Sequence, residues 1–307
     1  MYSSSKPTHR SPRRFLEALP RNQVTRLALS LRGIPTRLFQ SLLHTKWTRE
    51  RVSWTIAYIY TLYVALSAVP PFRDTPVFSV AAASVLLVFL YIFHSYTNLD
   101  LKTASKFLVI AATISFLWEF IGVETGIPFG PYVYTSALGP QLGPVPIFIP
   151  LLWCALGYFC MKASNHYIMA SALMVSLDTS FDPVFSAKLG LWTWTGPTQY
   201  FGVPFSNFFG WFLASLTFFA LFFLASRRKP ESSKYAIVFY YLFGLDNVIG
   251  DIVSGSLGLA ASSFAIFTVA VAIVLLIRKN NAAKTRTKIL QVEQVTSPSR
   301  QPVSSRS

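Results

Sequence analysis

The chain has 307 residues, of which 52% are hydrophobic and only 13% charged, and its mean hydropathy is +0.45. That balance excludes a soluble globular domain and places the chain among membrane proteins. A formal net charge of +15 would suit nucleic-acid binding, but the basic residues lie at the two ends and in short stretches between apolar segments, which is topology rather than DNA or RNA recognition.

Residues 1–51 read as a basic tail, rich in Arg and Ser and poor in acid. No apolar h-region precedes residue 52, which argues against a cleaved secretory signal, while the composition leaves an organellar transit peptide open. Within the tail Val24, Leu27, Leu31, Ile34, Leu38 and Leu42 fall at helical spacing among Arg26, Arg32 and Arg37. That pattern suits a helix lying on an anionic membrane surface, or plain topological ballast.

A membrane span needs roughly 20 mostly apolar residues. Eight segments answer to this, at 52–70, 77–96, 104–122, 145–162, 166–181, 205–225, 235–253 and 258–277. The fold expected is all-α: a polytopic transmembrane bundle over residues 52–277, followed by a basic, disordered tail over 278–307. With the N-terminus in the cytoplasm, 25 Lys and Arg fall on the inside and only Arg73 and Lys188 on the outside, so both termini are expected to be cytoplasmic. Cys154 and Cys160 lie six apart in one apolar segment, where helical geometry disfavours a bridge, and they read as small core residues.

The acidic residues distribute the other way. Of twelve, six fall at the expected outer ends of spans or in the adjoining loops: Glu119, Glu124, Asp178, Asp182, Asp246 and Asp251. Carboxylates at membrane depth are costly and by default mark a functional site, although any one near a span end can simply snorkel to water. Between Glu124 and Pro150 the chain reads ETGIPFGPYVYTSALGPQLGPVPIFIP. Its prolines and glycines prevent regular helix, and it is too apolar for a solvated loop. It is expected to fold back as a lid or re-entrant element, with ordinary Gly-Pro turns as the alternative.

The second outer segment, DTSFDPVFSAKLGLWTWTGPTQYFGVPFSNFFGW, runs from Asp178 to Trp211. Asp178 and Asp182 share a helical face, and Pro183 is expected to end that helix. Trp192, Trp194, Tyr200 and Trp211 suit either an interfacial belt or π faces that hold a cationic species. In GLDNVIGD, near the end of the seventh segment, Asn247 and Asp251 share a face while Asp246 is expected to point elsewhere; polar residues there can be packing glue, but two ionisable side chains favour a functional role. The histidines, His9, His44, His94 and His166, are scattered without an HxxxH box. No dinucleotide or P-loop glycine fingerprint and no GxSxG elbow occurs. The chain therefore has the parts for acid–base rather than redox chemistry, and no metal site is expected.

The run WEFIGVETGIPFGPYVYTSALGPQLGPVPIFIPLLW, followed by LWTWTGPTQYFGVPFSNFFGW, resembles the carotenoid 1,2-hydratases of the bacterioruberin and myxoxanthophyll pathways. The likeness extends over roughly residues 52–277. It implies a cofactor-independent integral-membrane enzyme, in a cell membrane or else an organellar one, that adds water to the terminal double bond of an acyclic carotenoid end. Its partners would be the apolar carotenoid, water and lipid, with no nucleic acid and with other enzymes of the pathway as further candidates.

Hydrating a trisubstituted alkene needs an acid to protonate one carbon, rings to stabilise the tertiary cation, and a base to take a proton from the captured water. The candidates are Asp178 or Glu124 as acid and Asp246 or Asp251 as base, with Asp182 and Glu119 beside them. Trp192, Trp194, Tyr132, Tyr134, Tyr200 and Asn207 are the candidate substrate-binding residues. Three other readings remain open. A lycopene-cyclase-like enzyme would use the same proton without water. A proton-coupled transporter would want a string of acids across the bilayer and an internal repeat. A prenyltransferase would need cations for a diphosphate beside its paired Asp residues. If the basic tail only enforces orientation, deleting residues 1–20 leaves activity intact; lost turnover from a normally inserted deletion variant would refute this.

Overall fold

The computed structural model describes residues 48–75, 79–164, 166–226 and 231–296. The compact unit begins at Arg49, and the surface helix expected within 24–42 lies outside the described residues. Eight α-helices occur among them: α1 Arg49–Ser67, α2 Val80–Asn98, α3 Leu101–Thr125, α4 Phe148–Ser164, α5 Tyr167–Asp182, α6 Phe205–Ala225, α7 Lys234–Val253 and α8 Leu257–Thr296. Each falls on one predicted apolar segment. Six of them, α2, α3 and α5 to α8, are long and apolar enough to cross a membrane. The two others differ for separate reasons. α1 opens on Arg49, Glu50 and Arg51 and carries Ser, Thr and Tyr along its length, and α4 has only 17 residues.

α4 is short because it is central. It packs against α2, α3, α5 and α7, and from Trp153 to Ala163 every side chain is buried. Four-sided packing requires small residues, and Cys154, Ala155, Gly157, Cys160 and Ala163 supply them. At Gly157 an added Cβ would stand 2.9 Å from the Phe218 ring of α6. Both cysteines are free and buried. The outer faces of the longer helices carry exposed apolar side chains such as Phe89, Val109, Leu224 and Leu276, which is how a bundle meets lipid.

Two elements depart from their sequence patterns. Pro183 ends the α-helical hydrogen bonding of α5, yet the chain continues as a wider π turn over Pro183–Lys188. Proline lacks only its own N–H and is tolerated at the first position of a new turn. α8 runs on to Thr296, through the first part of the segment expected to be a disordered tail; its Ala, Lys, Arg and Gln residues are strong helix formers.

The α3–α4 and α5–α6 connections meet at one end of the bundle. Strand β1 (Tyr132–Tyr134) pairs antiparallel with β4 (Trp192–Trp194), with Tyr132 opposite Trp194 and Tyr134 opposite Trp192. A second small ladder joins β2 (Gln141–Leu142) to β3 (Val145–Pro146) within the first connection. The entry of that connection is fixed by Gly126, which caps α3 at φ 72° and bonds back to the Gly122 carbonyl at 2.8 Å, a conformation that favours glycine. Just beyond it the buried Phe129 ring is wedged between Gly122 of α3 and Gly210 of α6. A Cβ at Gly122 would stand 2.5 Å from that ring, and one at Gly210 would overlap it. Gly210→Ala is therefore expected to destabilise the protein by about 1–3 kcal/mol through overpacking, read as a lower unfolding temperature in detergent, whereas Gly139→Ala, where no neighbour crowds a Cβ, tests only the backbone.

Candidate active site

The buried positions of α3 are Ala104, Phe107, Ala111, Ser115, Glu119 and Gly122, three or four apart, so Glu119 lies on the stripe that faces the bundle. A carboxyl taken from water needs donors from the protein. Glu119 has three. Its Oε2 accepts from the Tyr132 hydroxyl at 2.5 Å and the Tyr134 hydroxyl at 2.7 Å, and its Oε1 accepts from Trp153 Nε1 at 2.9 Å. Burial, with the Glu119 carboxyl beside them, pushes both phenols well above their ordinary range, so both remain hydrogen-bond donors. Alternate residues of a strand share a face, which is why Tyr132 and Tyr134 reach one carboxyl.

Asp178 and Asp182, one helical turn apart on α5, are both buried. They converge on one side chain of α6: Asn207 Nδ2 donates to Asp178 Oδ2 at 2.7 Å and to Asp182 Oδ2 at 2.5 Å. Asp178 Oδ1 has no partner among the described residues. Two carboxyl groups that share one amide nitrogen are in the arrangement where a proton can be held between a pair.

Glu119, Asp182 and Asn207 line one cleft of about 40 Å³, whose other walls include Phe129, Tyr132, Tyr134, Trp153, Phe181, Phe185, Trp192, Trp194 and Trp211. Trp153 stacks on Trp211 at 4.1 Å between ring centres, and Tyr132 lies against Trp194 at 5.1 Å. Carboxyl groups thus stand in a small space whose surface is mostly π faces, an environment that favours a transient cation.

Other candidates fall elsewhere. Glu124 is exposed; five positions beyond Glu119 it is turned by about 140° on the helix, off the buried stripe and away from the cleft. Asp246 and Asp251 line a different cavity of about 310 Å³ together with Asn247, Arg73 and Ser180. Asp246 therefore faces the same space as Asn247 and Asp251 instead of pointing away from them. Asp251 Oδ2 accepts from Ser180 and Ser263 at 3.1 and 3.2 Å, while Asp251 Oδ1 and Asp246 Oδ2 have no partner among the described residues. The Phe181 and Phe185 rings, stacked at 5.4 Å, border both cavities. Tyr200 does not line the acid cleft; its ring packs on Phe201 and Phe208.

The sequence model of the family described as "Carotenoid biosynthesis protein" matches residues 75–279, which hold α2 to α7, both connections and all six candidate carboxyls. The chain belongs to that family. A protein of Haloarcula japonica named bisanhydrobacterioruberin hydratase is 31% identical to it over 134 residues, 39% of this chain and 45% of the relative. The match thus spans less than half of that relative's length. No solved structure matches the chain.

For this carotenoid biosynthesis family member, Trp153, Phe129 and the pair Phe181 and Phe185 are cleft residues that the sequence analysis did not single out. Trp153 is one aromatic in an apolar helix, and the nearest signal was its place at the end of the run from Trp118. Asn207, a candidate substrate contact, lines the cleft and also holds two carboxyls. Its replacement in Asn207→Leu leaves both without their shared donor, and is expected to cost about 2–3 kcal/mol of stability, measured by denaturant unfolding in micelles; an unchanged midpoint would show that the shared amide contributes nothing.

Proposed function

We propose that this protein is a hydratase that adds water across the terminal C1–C2 double bond of an acyclic carotenoid end. The observation that carries the reading is the convergence of Asp178 and Asp182 on Asn207 at the wall of an aromatic cleft that also holds Glu119. Membership of a carotenoid biosynthesis family and the hydratase name of the Haloarcula japonica relative support it.

In this mechanism Asp182, which borders the cleft, gives its carboxyl proton to C2, and the π electrons of the double bond form the new C–H bond. The tertiary cation left at C1 faces Trp192, Trp194 and Tyr132, whose rings lower its energy. Water bonds to C1 through oxygen, and the proton it sheds goes to Glu119, the group that accepts three hydrogen bonds and gives none. Return of that proton through solvent to the Asp178 and Asp182 pair closes the cycle, and the net change is one water added. Glu119 thus takes the role of base that the sequence analysis gave to Asp246 or Asp251, because it and Asp182 share one cavity.

The test is expression in bacteria that accumulate lycopene or its acyclic C50 relatives, with pigments analysed by chromatography and mass spectrometry. A gain of about 18 mass units per reacted end is expected, with a fall of at least about a hundredfold in Asp182→Asn and Glu119→Gln variants that insert normally. Unchanged mass with a shortened chromophore would mean cyclisation, and unchanged pigments would remove the reading.

A further inference from the structure

The acid cleft does not end at its own walls. Leu152 and Leu156 of α4, with Phe181 and Phe185, also border a second cavity of about 90 Å³. Its far side is built from α1 and α2, by residues that include Tyr60, Val64, Val80, Ser84 and Leu87, and no charged side chain lines it. From Val80 to Leu87 this wall runs about 10 Å along α2. Val80, the first residue of α2, is 37% exposed and Ser84, one turn on, is half-buried, so the wall that α2 gives the cavity is not sealed. There the adjacent surface is apolar, with Val85, Leu86 and Phe89 exposed.

Phe181 and Phe185 therefore stand where the acid cleft meets the groove. The groove itself merges with the cavity that holds Asp246, Asp251 and Arg73, because Val64, Ser67, Val80 and Asn247 line both. An extended hydrocarbon attached to a group in the acid cleft loses nothing to desolvation in the groove, whereas in the other cavity it would strip water from carboxyl groups. We propose that the groove between α1 and α2 receives the polyisoprenoid chain of the substrate, which enters from the side of the bundle and places its end group among the acids. The inference rests on the hydratase reading and adds the path of the chain to it. The groove then becomes a determinant of specificity: it accepts a slender acyclic chain, and its wall residues set how deep the terminal double bond reaches.

The test is a graded series at Ser84 in the pigment-producing bacteria, with Ser84→Ala, Ser84→Leu and Ser84→Trp compared with Val85→Trp on the exposed face of the same helix. Insertion and unfolding temperature are measured for each. Hydration is expected to fall stepwise with side-chain size, by at least about tenfold for the largest, while Val85→Trp stays within about twofold of the unmodified protein. Ser84→Leu carries the test if the tryptophan variant does not insert. Equal conversion by the unmodified protein, Ser84→Leu and every inserted variant would overturn the groove and leave the hydratase intact. No conversion by the unmodified protein would instead overturn the hydratase reading itself, so the two failures are told apart.

Discussion

Carboxyl groups enclosed in a helix bundle must be satisfied by the protein, and the end of the bundle where the two connections meet is arranged around that need. Glu119 collects donors from β1 and α4, and Asp178 and Asp182 collect theirs from α6. Breaking a buried, hydrogen-bonded charge costs several kcal/mol, so these few contacts tie α3, α4, α5, α6 and the β1–β4 ladder into one unit. The Phe129 wedge between α3 and α6 sets the height at which β1 crosses, and through it the position of the two tyrosine hydroxyls. Precision at the carboxyls is thus inherited from apolar packing a few residues away.

The same arrangement divides the interior by polarity. An aromatic acid cleft, an uncharged groove and a cavity with two further aspartates meet at Phe181 and Phe185. The π turn after Asp182 belongs to this division, because a helix that stopped at Pro183 would not carry Phe185 on to stack against Phe181. Departures from ideal α geometry of this kind recur at functional sites.

Much of this was legible in the sequence, for identifiable reasons. Apolar runs of span length are local signals, so all eight helices fall where hydrophobicity places them, while length and composition admit only six as membrane-crossing. The i, i+4 spacing of Asp178 and Asp182 is likewise local, and helix geometry carries it into space. What the sequence could not disclose depends on contacts between distant segments. Asn207 as the shared donor, Trp153 as a partner of Glu119, and the separation of Asp246 and Asp251 from the acid cleft all follow from helix packing. Glu124 illustrates the finer limit. Its place among the acids at the expected outer ends of the spans made it a candidate, and a rotation of the helix sends it and Glu119 to different surroundings.

The β1–β4 ladder carries a consequence for how the molecule is made. Tyr132 and Tyr134 leave the ribosome before α4 and α5 exist, and their strand partners Trp192 and Trp194 come only after both helices. Until then the Glu119 carboxyl lacks a finished enclosure, and the growing chain must shelter it at the membrane edge. The cleft is consequently a late product of biogenesis, complete only when the sixth helix has brought Asn207 and Trp211 to it, and a nascent chain halted before that point holds its acids without their enclosure.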